Sequence, residues 1–317
     1  MKKNNNKNIL ENKFNYVLFH NPCLDGFLSF VLLRETNLLV KENLYIRGIA
    51  PDTKKVPPNV KNKNIIIIDL NLDKKILLEI IQDANHVLYI DHHQNDNSKI
   101  KHPKFTCIYD SEKCASILVW ENFLKKGKKK MPELLKYIDD GDRMANQYDE
   151  TTLFNVAFEV HYNEEQFGLT PEGFNKKADN WLPLLKDNKK VKNLIKVGKH
   201  YYLYKYVVTK KSLNNFETVL MKTPFNKTWK LIVTNIGGFC AKLVSSQLQQ
   251  FDSADCCIVW YYHVGDKGIR CTIRSKRNNV VWLAKKYGGG GHPHAASFSY
   301  KSTNIYDWLE KHNKSIR

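Results

Sequence analysis

Four consecutive isoleucines, Ile65 to Ile68, run straight into Asp69. A β-branched run favours extended backbone, and neighbouring side chains of a strand point to opposite faces. Both faces of this strand must therefore be covered. That fits a sheet with helices packed on either side, and such sheets are parallel. A carboxylate closing so apolar a strand is costly unless something at that end uses it.

The pattern recurs. Asn15 to His20 is a short apolar strand closed by an imidazole, His86 to Ile90 runs into Asp91-His92-His93, and Phe105 to Tyr109 ends at Asp110. Leu44 to Ala50 is a further strand. Helical spacing predicts helices over Gly26 to Arg34, Asp73 to Gln82 and Ala115 to Lys125. Strand and helix alternate, so the first half reads as an α/β parallel sheet covered on both faces. Ligands of such sheets bind beyond the carboxyl ends of the strands. His20, Asp69, Asp91 and Asp110 all sit at such ends, and together they offer oxygen and imidazole donors suited to a divalent metal. A further helix opens at Pro132-Glu133 and reaches Asp139-Asp140-Gly141-Asp142.

From Phe216 the pattern restarts. Thr218 to Met221 and Lys230 to Thr234 read as strands, and Gly238 to Gln250 as a helix. Cys256 to Tyr262 and Gly268 to Ile273 read as a hairpin, and Val280 to Lys286 as a short helix. Gly288-Gly289-Gly290-Gly291-His292-Pro293-His294 then leads into an apolar strand, which a flexible linker seldom does. Glycine lets backbone N–H groups approach a phosphate closely. The domain reading is a polar tail over 1–12, a catalytic domain over 13–187, a helical linker over 188–214 and a smaller mixed α/β domain over 215–317. Residues 151–185 mix aromatic and polar positions and suggest no role.

The 50 Lys and Arg against 32 Asp and Glu, a formal charge of +18, suit a polyanionic partner, although an AT-rich genome writes Lys and Asn as freely. Seven cysteines without a C-x-x-C pair point to a reducing compartment. No stretch has the apolar length of a signal peptide or a membrane span, so the expectation is a soluble, cytoplasmic protein with no membrane partner. Homodimerisation is left open. His86, His102, His161, His200 and His263 stand in no constellation and read as surface or core residues.

His20-Asn21-Pro22-Cys23-Leu24-Asp25-Gly26, Asp69 after its strand, Asp91-His92-His93, and Asp140 resemble, in order, the four motifs of the DHH phosphoesterase superfamily. Gly288 to Phe298 resembles the glycine-rich signature of its associated C-terminal domain, and Arg274-Ser275 stands where that domain carries an Arg-Ser pair. The resemblance covers about residues 15 to 300 and is nearest to the branch of nanoRNase B and cyclic mononucleotide phosphodiesterases. It implies two domains with a cleft between them and a two-ion hydrolase using Mn²⁺, with Mg²⁺ or another divalent ion as alternatives. Asp69 would bridge both ions, His20 would hold the first, and Asp25, His92 and Asp140 the second. Asp142 is the alternative to Asp140. Asp91 would complete the site or orient a histidine, and His93 would face the substrate phosphate or also touch metal. Arg274, Ser275, Gly289, Gly290, Gly291 and His292 would grip a substrate phosphate.

The sequence departs from the family at Cys23, where a first-motif acid is usual. A thiolate there is softer than a carboxylate, so Cys23 as a ligand would favour a different first ion or bind that ion weakly. Cys114 and Ser297 also replace residues that are usually glycine. The implied activity is hydrolysis of short RNA oligonucleotides or nucleotide-like diesters. The alternatives are a cyclic mono- or dinucleotide phosphodiesterase, a 3′-phosphoadenosine 5′-phosphate phosphatase, or a weakened nucleotide-binding module.

Overall fold

The computed structural model describes residues 13–50, 53, 55–93, 96–125, 130–143, 145, 147–162, 168–237, 243–244 and 253–312. The polar tail over 1–12, Gln94, Cys240, the basic stretch 126–129 and most of the helix expected over Gly238 to Gln250 lie outside the described residues. The chain divides into two compact units, Met1–Tyr201 and Tyr202–Arg317.

In the first unit, strands β1 (Tyr16–His20), β2 (Tyr45–Ile49), β3 (Asn64–Ile68), β4 (His86–Asp91) and β5 (Phe105–Tyr109) form one sheet in the order β2-β1-β3-β4-β5. Every pairing in it is parallel. The isoleucine run is covered on both faces, as its composition requires. Ile66 and Ile68 face one core with Val17, Phe19, Leu88 and Ile90, while Ile65 and Ile67 face another with Leu18, Val87 and Tyr89.

The second of these cores is closed by α2 (Lys74–Asp83), whose Ile76, Leu77, Ile80 and Ile81 are buried, and Asp73 caps its start by accepting from Lys75 N at 2.8 Å. The opposite face is covered by α1 (Leu24–Arg34), α3 (Ala115–Val119), α4 (Glu133–Asp142), α5 (Thr151–Tyr162) and α6 (Pro171–Lys186). The helix expected to run to Lys125 instead widens at Trp120–Leu124, where Lys125 N donates to Trp120 O. The unassigned stretch 151–185 is thus two covering helices. Their aromatic positions are core: Phe174 lies edge-on to Phe19 at 5.0 Å, and Trp181 edge-on to Phe27 at 4.7 Å and Phe158 at 4.5 Å.

The boundary between the units falls inside α7 (Asn188–Leu213). In the second unit, β6 (Glu217–Lys222), β7 (Thr228–Asn235), β8 (Cys256–His263), β9 (Gly268–Arg274), β10 (Gly290–His292) and β11 (Ala295–Tyr300) form a mixed sheet in the order β10-β11-β9-β8-β7-β6. β8 and β9 make the expected antiparallel hairpin, and β7 and β8 run parallel. The short α8 (Val281–Lys285) and the terminal α9 (Tyr306–His312) pack on this sheet through Leu283, Ala284, Trp308 and Leu309.

Candidate metal centre

The order β2-β1-β3-β4-β5 places a topological switch between β1 and β3, because α1 and α2 cover opposite faces. In open α/β sheets ligands bind at such a switch, beyond the carboxyl ends of the strands. His20 closes β1 and Asp69 follows β3. Asp69 N still donates to Ile90 O at 2.9 Å, continuing the ladder, and the residue then adopts a left-handed φ of 54°. Aspartate is among the few side chains that tolerate this conformation. Gly26, in the first turn of α1, lets the helix come close, since a Cβ there would stand 2.6 Å from His20 O and 3.1 Å from Asp69 Oδ2.

Around Asp69 the donors converge. His20 Nδ1 lies 3.4 Å from Asp69 Oδ2, and His92 Nε2 lies 3.2 Å from both Asp69 Oδ1 and Asp142 Oδ2. Three overlapping groups have metal-ligating geometry: His20, Cys23 and Asp69; Asp25, His92 and Asp142; and Asp69, Asp91, His92 and His93. His20 Nδ1, Asp69 Oδ2 and Asp142 Oδ2 are buried without a hydrogen-bond partner among the described residues. Leaving such atoms unsatisfied costs free energy, and a cation would relieve all three. The donor set and its orphaned atoms therefore fit a divalent ion.

The electrostatics point the same way. Burial raises Asp69, but the close imidazoles of His20 and His92 outweigh it and hold its carboxyl well below the usual range. Burial pulls His92 down, yet Asp69 and the charges of Asp142 and Asp25 lift it to about 9. Asp142 is pushed up to about 7 by burial and by the like charges of Asp25 and Asp69. Burial and Asp69 also raise Asp25. Several acids crowded in one dry pocket repel one another until a cation joins them.

Two residues are held by neighbours rather than aimed loosely. Asp25 is fully buried, and its oxygens accept from Ala115 N at 2.7 Å and Ser116 N at 2.9 Å at the start of α3. Asp91 accepts from Tyr89 Oη at 2.5 Å and from His92 N at 2.9 Å, and sits 2.7 Å from His93 Nδ1. Asp91 thus orients His93 through Nδ1. Burial lowers His93, but the Asp91 hydrogen bond more than compensates and leaves it above its ordinary value.

The two acids of the fourth motif are placed differently. Asp140 is turned to structural use: its oxygens accept from Gln147 N at 2.6 Å and Thr151 Oγ1 at 2.5 Å, tying α4 to the start of α5. Asp142 is the acid that joins Asp25 and His92. Asp139 completes a division of labour, receiving Cys114 N at 2.7 Å and both arms of Arg143 at 2.8 Å. Asp110 does not join the strand-end group either; it accepts from Glu112 N at 3.0 Å in its own turn. The other histidines stay local, with His86 near Thr106, His161 near Tyr201 and His263 near Asp266.

In the second unit, Arg274 and Ser275 lie beside the His-Pro-His turn, for Ser275 N donates to His294 O and Val280 N to Pro293 O. Ser275 Oγ donates to Asp255 O at 2.7 Å and accepts from Asn278 N at 2.9 Å. Arg274 is half-buried, with Nη1 on Ile273 O at 3.0 Å, and burial lowers its pKa. Among the glycines, Gly288 has φ 74° and donates to Lys285 O, while Gly289 donates to Ala284 O. A Cβ on Gly289 would meet Ser297 O at 2.1 Å and one on Gly291 would meet Ala295 O at 2.4 Å, whereas Gly290 has open space. The run thus has a packing role at these positions: it ends α8 and lets β10 lie against β11.

No protein-family model matches the chain. The uncharacterized protein R106 of Acanthamoeba polyphaga mimivirus is 25% identical over 310 residues, spanning 93% of this chain and 70% of the relative. Among solved structures, the pGpG-specific phosphodiesterase PggH of Vibrio cholerae superposes with a TM-score of 0.51 at 18% identity, over 94% of this chain and 97% of that one. RecJ of Thermus thermophilus, in complex with Mn²⁺, gives a TM-score of 0.49 at 13% identity, over 96% of this chain and 52% of that one.

Proposed function

We propose that this chain, which has the two-domain fold of the DHH phosphoesterases, is a divalent-metal-dependent phosphodiesterase acting on short RNA oligonucleotides or nucleotide-like diesters. The observation that carries the reading is Asp69. Its two oxygens face different donor sets, one toward His20 and the other toward His92, an arrangement that would let one carboxylate serve two ions. His20, Cys23 and Asp69 would hold one ion, and Asp69, Asp25, His92 and Asp142 the other, with Mn²⁺ or Mg²⁺ as the expected ions. When bound, such ions supply an activated water and neutralise charge on the phosphoryl oxygens.

The chain's own residues would do the rest. Asp25, anchored by two amides, keeps its carboxylate fixed, so little reorganisation is needed during reaction. His93, steadied through Nδ1 by Asp91, offers its other nitrogen to the substrate phosphate. No serine or cysteine nucleophile is required. A short substrate is favoured by analogy with PggH, described as specific for pGpG, a linear dinucleotide.

A panel of a linear dinucleotide, a trinucleotide, a cyclic mononucleotide and a long single strand, each with titrated Mn²⁺ and Mg²⁺, tests the reading. Preferential turnover of the two shortest linear substrates is the expected outcome. Equal turnover of the long strand would overturn the short-substrate claim. Tight nucleotide binding without turnover under any divalent ion would replace the enzyme with a binding module.

A further inference from the structure

The donors around Asp69 differ in kind as well as in place. Asp25, His92 and Asp142 are two carboxylates and an imidazole, whereas His20 and Cys23 are an imidazole and a thiol. Cys23 occupies the N-cap of α1 with extended backbone, where a hydroxyl or a carboxylate is the commoner choice. Asp69, only 1% exposed, has its Oδ2 3.4 Å from His20 Nδ1, and neither atom makes a hydrogen bond among the described residues.

We propose that the two ion positions are unequal. The one framed by His20 Nδ1, Cys23 Sγ and Asp69 Oδ2 takes a thiophilic ion of the zinc or cobalt class, and the one framed by Asp25, His92 and Asp142 takes a hard ion such as Mn²⁺ or Mg²⁺. Mixed nitrogen, sulfur and oxygen donors favour Co²⁺ and Zn²⁺ over Mn²⁺, and Zn²⁺ accepts such a set with a position left open for water or substrate. Carboxylate-rich sets suit the harder ions. As the sulfur–metal bond forms, the Cys23 proton passes to solvent, and no electron is transferred. The inference rests on the metal-centre reading above and gives each position its own ion.

Co²⁺ titrated into the metal-free full-length chain tests it, because cobalt bound by a thiolate shows a near-ultraviolet charge-transfer band. The band is expected with wild type and absent from both Cys23→Ser and Cys23→Asp. Zn²⁺ should abolish it at concentrations where Mn²⁺ leaves it intact. Elemental analysis after competition should show the preference for zinc over manganese reduced in Cys23→Asp. The reduction should be at least the roughly 10- to 100-fold that loss of an outer-shell partner costs. Cobalt binding without the band, a band that persists in Cys23→Ser, or displacement by Mn²⁺ as readily as by Zn²⁺ would each overturn the proposal. None of these readouts uses hydrolysis. A band without turnover of any diester would remove the phosphodiesterase reading and leave this one standing, and turnover without the band would do the reverse.

Discussion

The carboxyl edge of the first sheet and the Arg274 end of the second both look functional by residue type, yet they differ in how their polar atoms are used. At the first edge, His20 Nδ1, Asp69 Oδ2 and Asp142 Oδ2 are buried without hydrogen bonds. In the second unit, Ser275 is engaged on three sides and Gly288 and Gly289 already donate to the end of α8. Buried polar groups are ordinarily satisfied. A cluster of unsatisfied ones therefore marks a place built to receive a ligand, while a satisfied cluster explains itself as structure. Motif residues alone do not make that distinction.

The sharpest way to break the contrast is Asp69→Asn. Asparagine keeps the left-handed backbone conformation but removes the shared charge. Calorimetry should show loss of ion binding, and kcat/KM should fall by about 10³-fold or more, since both the positioning and the charge of the centre go with it. Undiminished turnover would place the chemistry elsewhere.

Next in size is a pH effect on ion affinity. His92 stands at about 9 in the metal-free protein and must be neutral to bind an ion. Affinity should therefore rise up to about tenfold per pH unit as pH increases toward 9 and flatten beyond it, with protons released on binding. The linkage to stability has the opposite sign. A raised histidine stabilises the metal-free fold below its unfolded value, and that contribution disappears as pH rises through about 9. Equal affinities at pH 7 and 9 would contradict the assignment of His92.

The paired variants Asp142→Asn and Asp140→Asn divide binding from folding. Asp142→Asn should weaken ion binding by roughly 10- to 100-fold with a smaller effect on the melting temperature, because its Oδ2 makes no hydrogen bond and loses only the 3.2 Å ion pair with His92. Asp140→Asn should do the reverse, costing about 1.5–3 kcal/mol through weakened bonds to Gln147 and Thr151. An exchange of these two phenotypes would restore Asp140 as the ligand.

The smallest effects sharpen the second region. Gly289→Ala drives a methyl into the backbone of Ser297 and should destabilise by about 1–3 kcal/mol in denaturant melts. Gly290→Ala meets open space and should stay within about 0.5 kcal/mol. Equal sensitivity would mean that the run is held by a ligand rather than by β11.

Much of this was legible in the sequence where one periodicity governs. The isoleucine run required a two-sided sheet, and strand ends located His20, Asp69 and Asp91. The choice between Asp140 and Asp142 was not legible, because residues two apart on a helix point about 200° away from each other. Which one faces the strands depends on how α4 packs. Residues 151–185 were opaque for a related reason. Phe154, Phe158, Phe174 and Trp181 are core residues set among polar neighbours, and α6 contains Gly173 and Pro183, residue types that disfavour a helix and blur its pattern. Asp110 shows the converse: a strand-end acid can serve only its own turn.

Asp25 bridges parts of the chain far apart in sequence. Its carboxylate grips Ala115 N and Ser116 N, so α1 and α3 are strapped together by the same group that would hold an ion. Loading that position would tighten the strap. The amide protons of Ala115 and Ser116, deep in the first unit, should then exchange with solvent more slowly, a tracer of occupancy that needs no substrate.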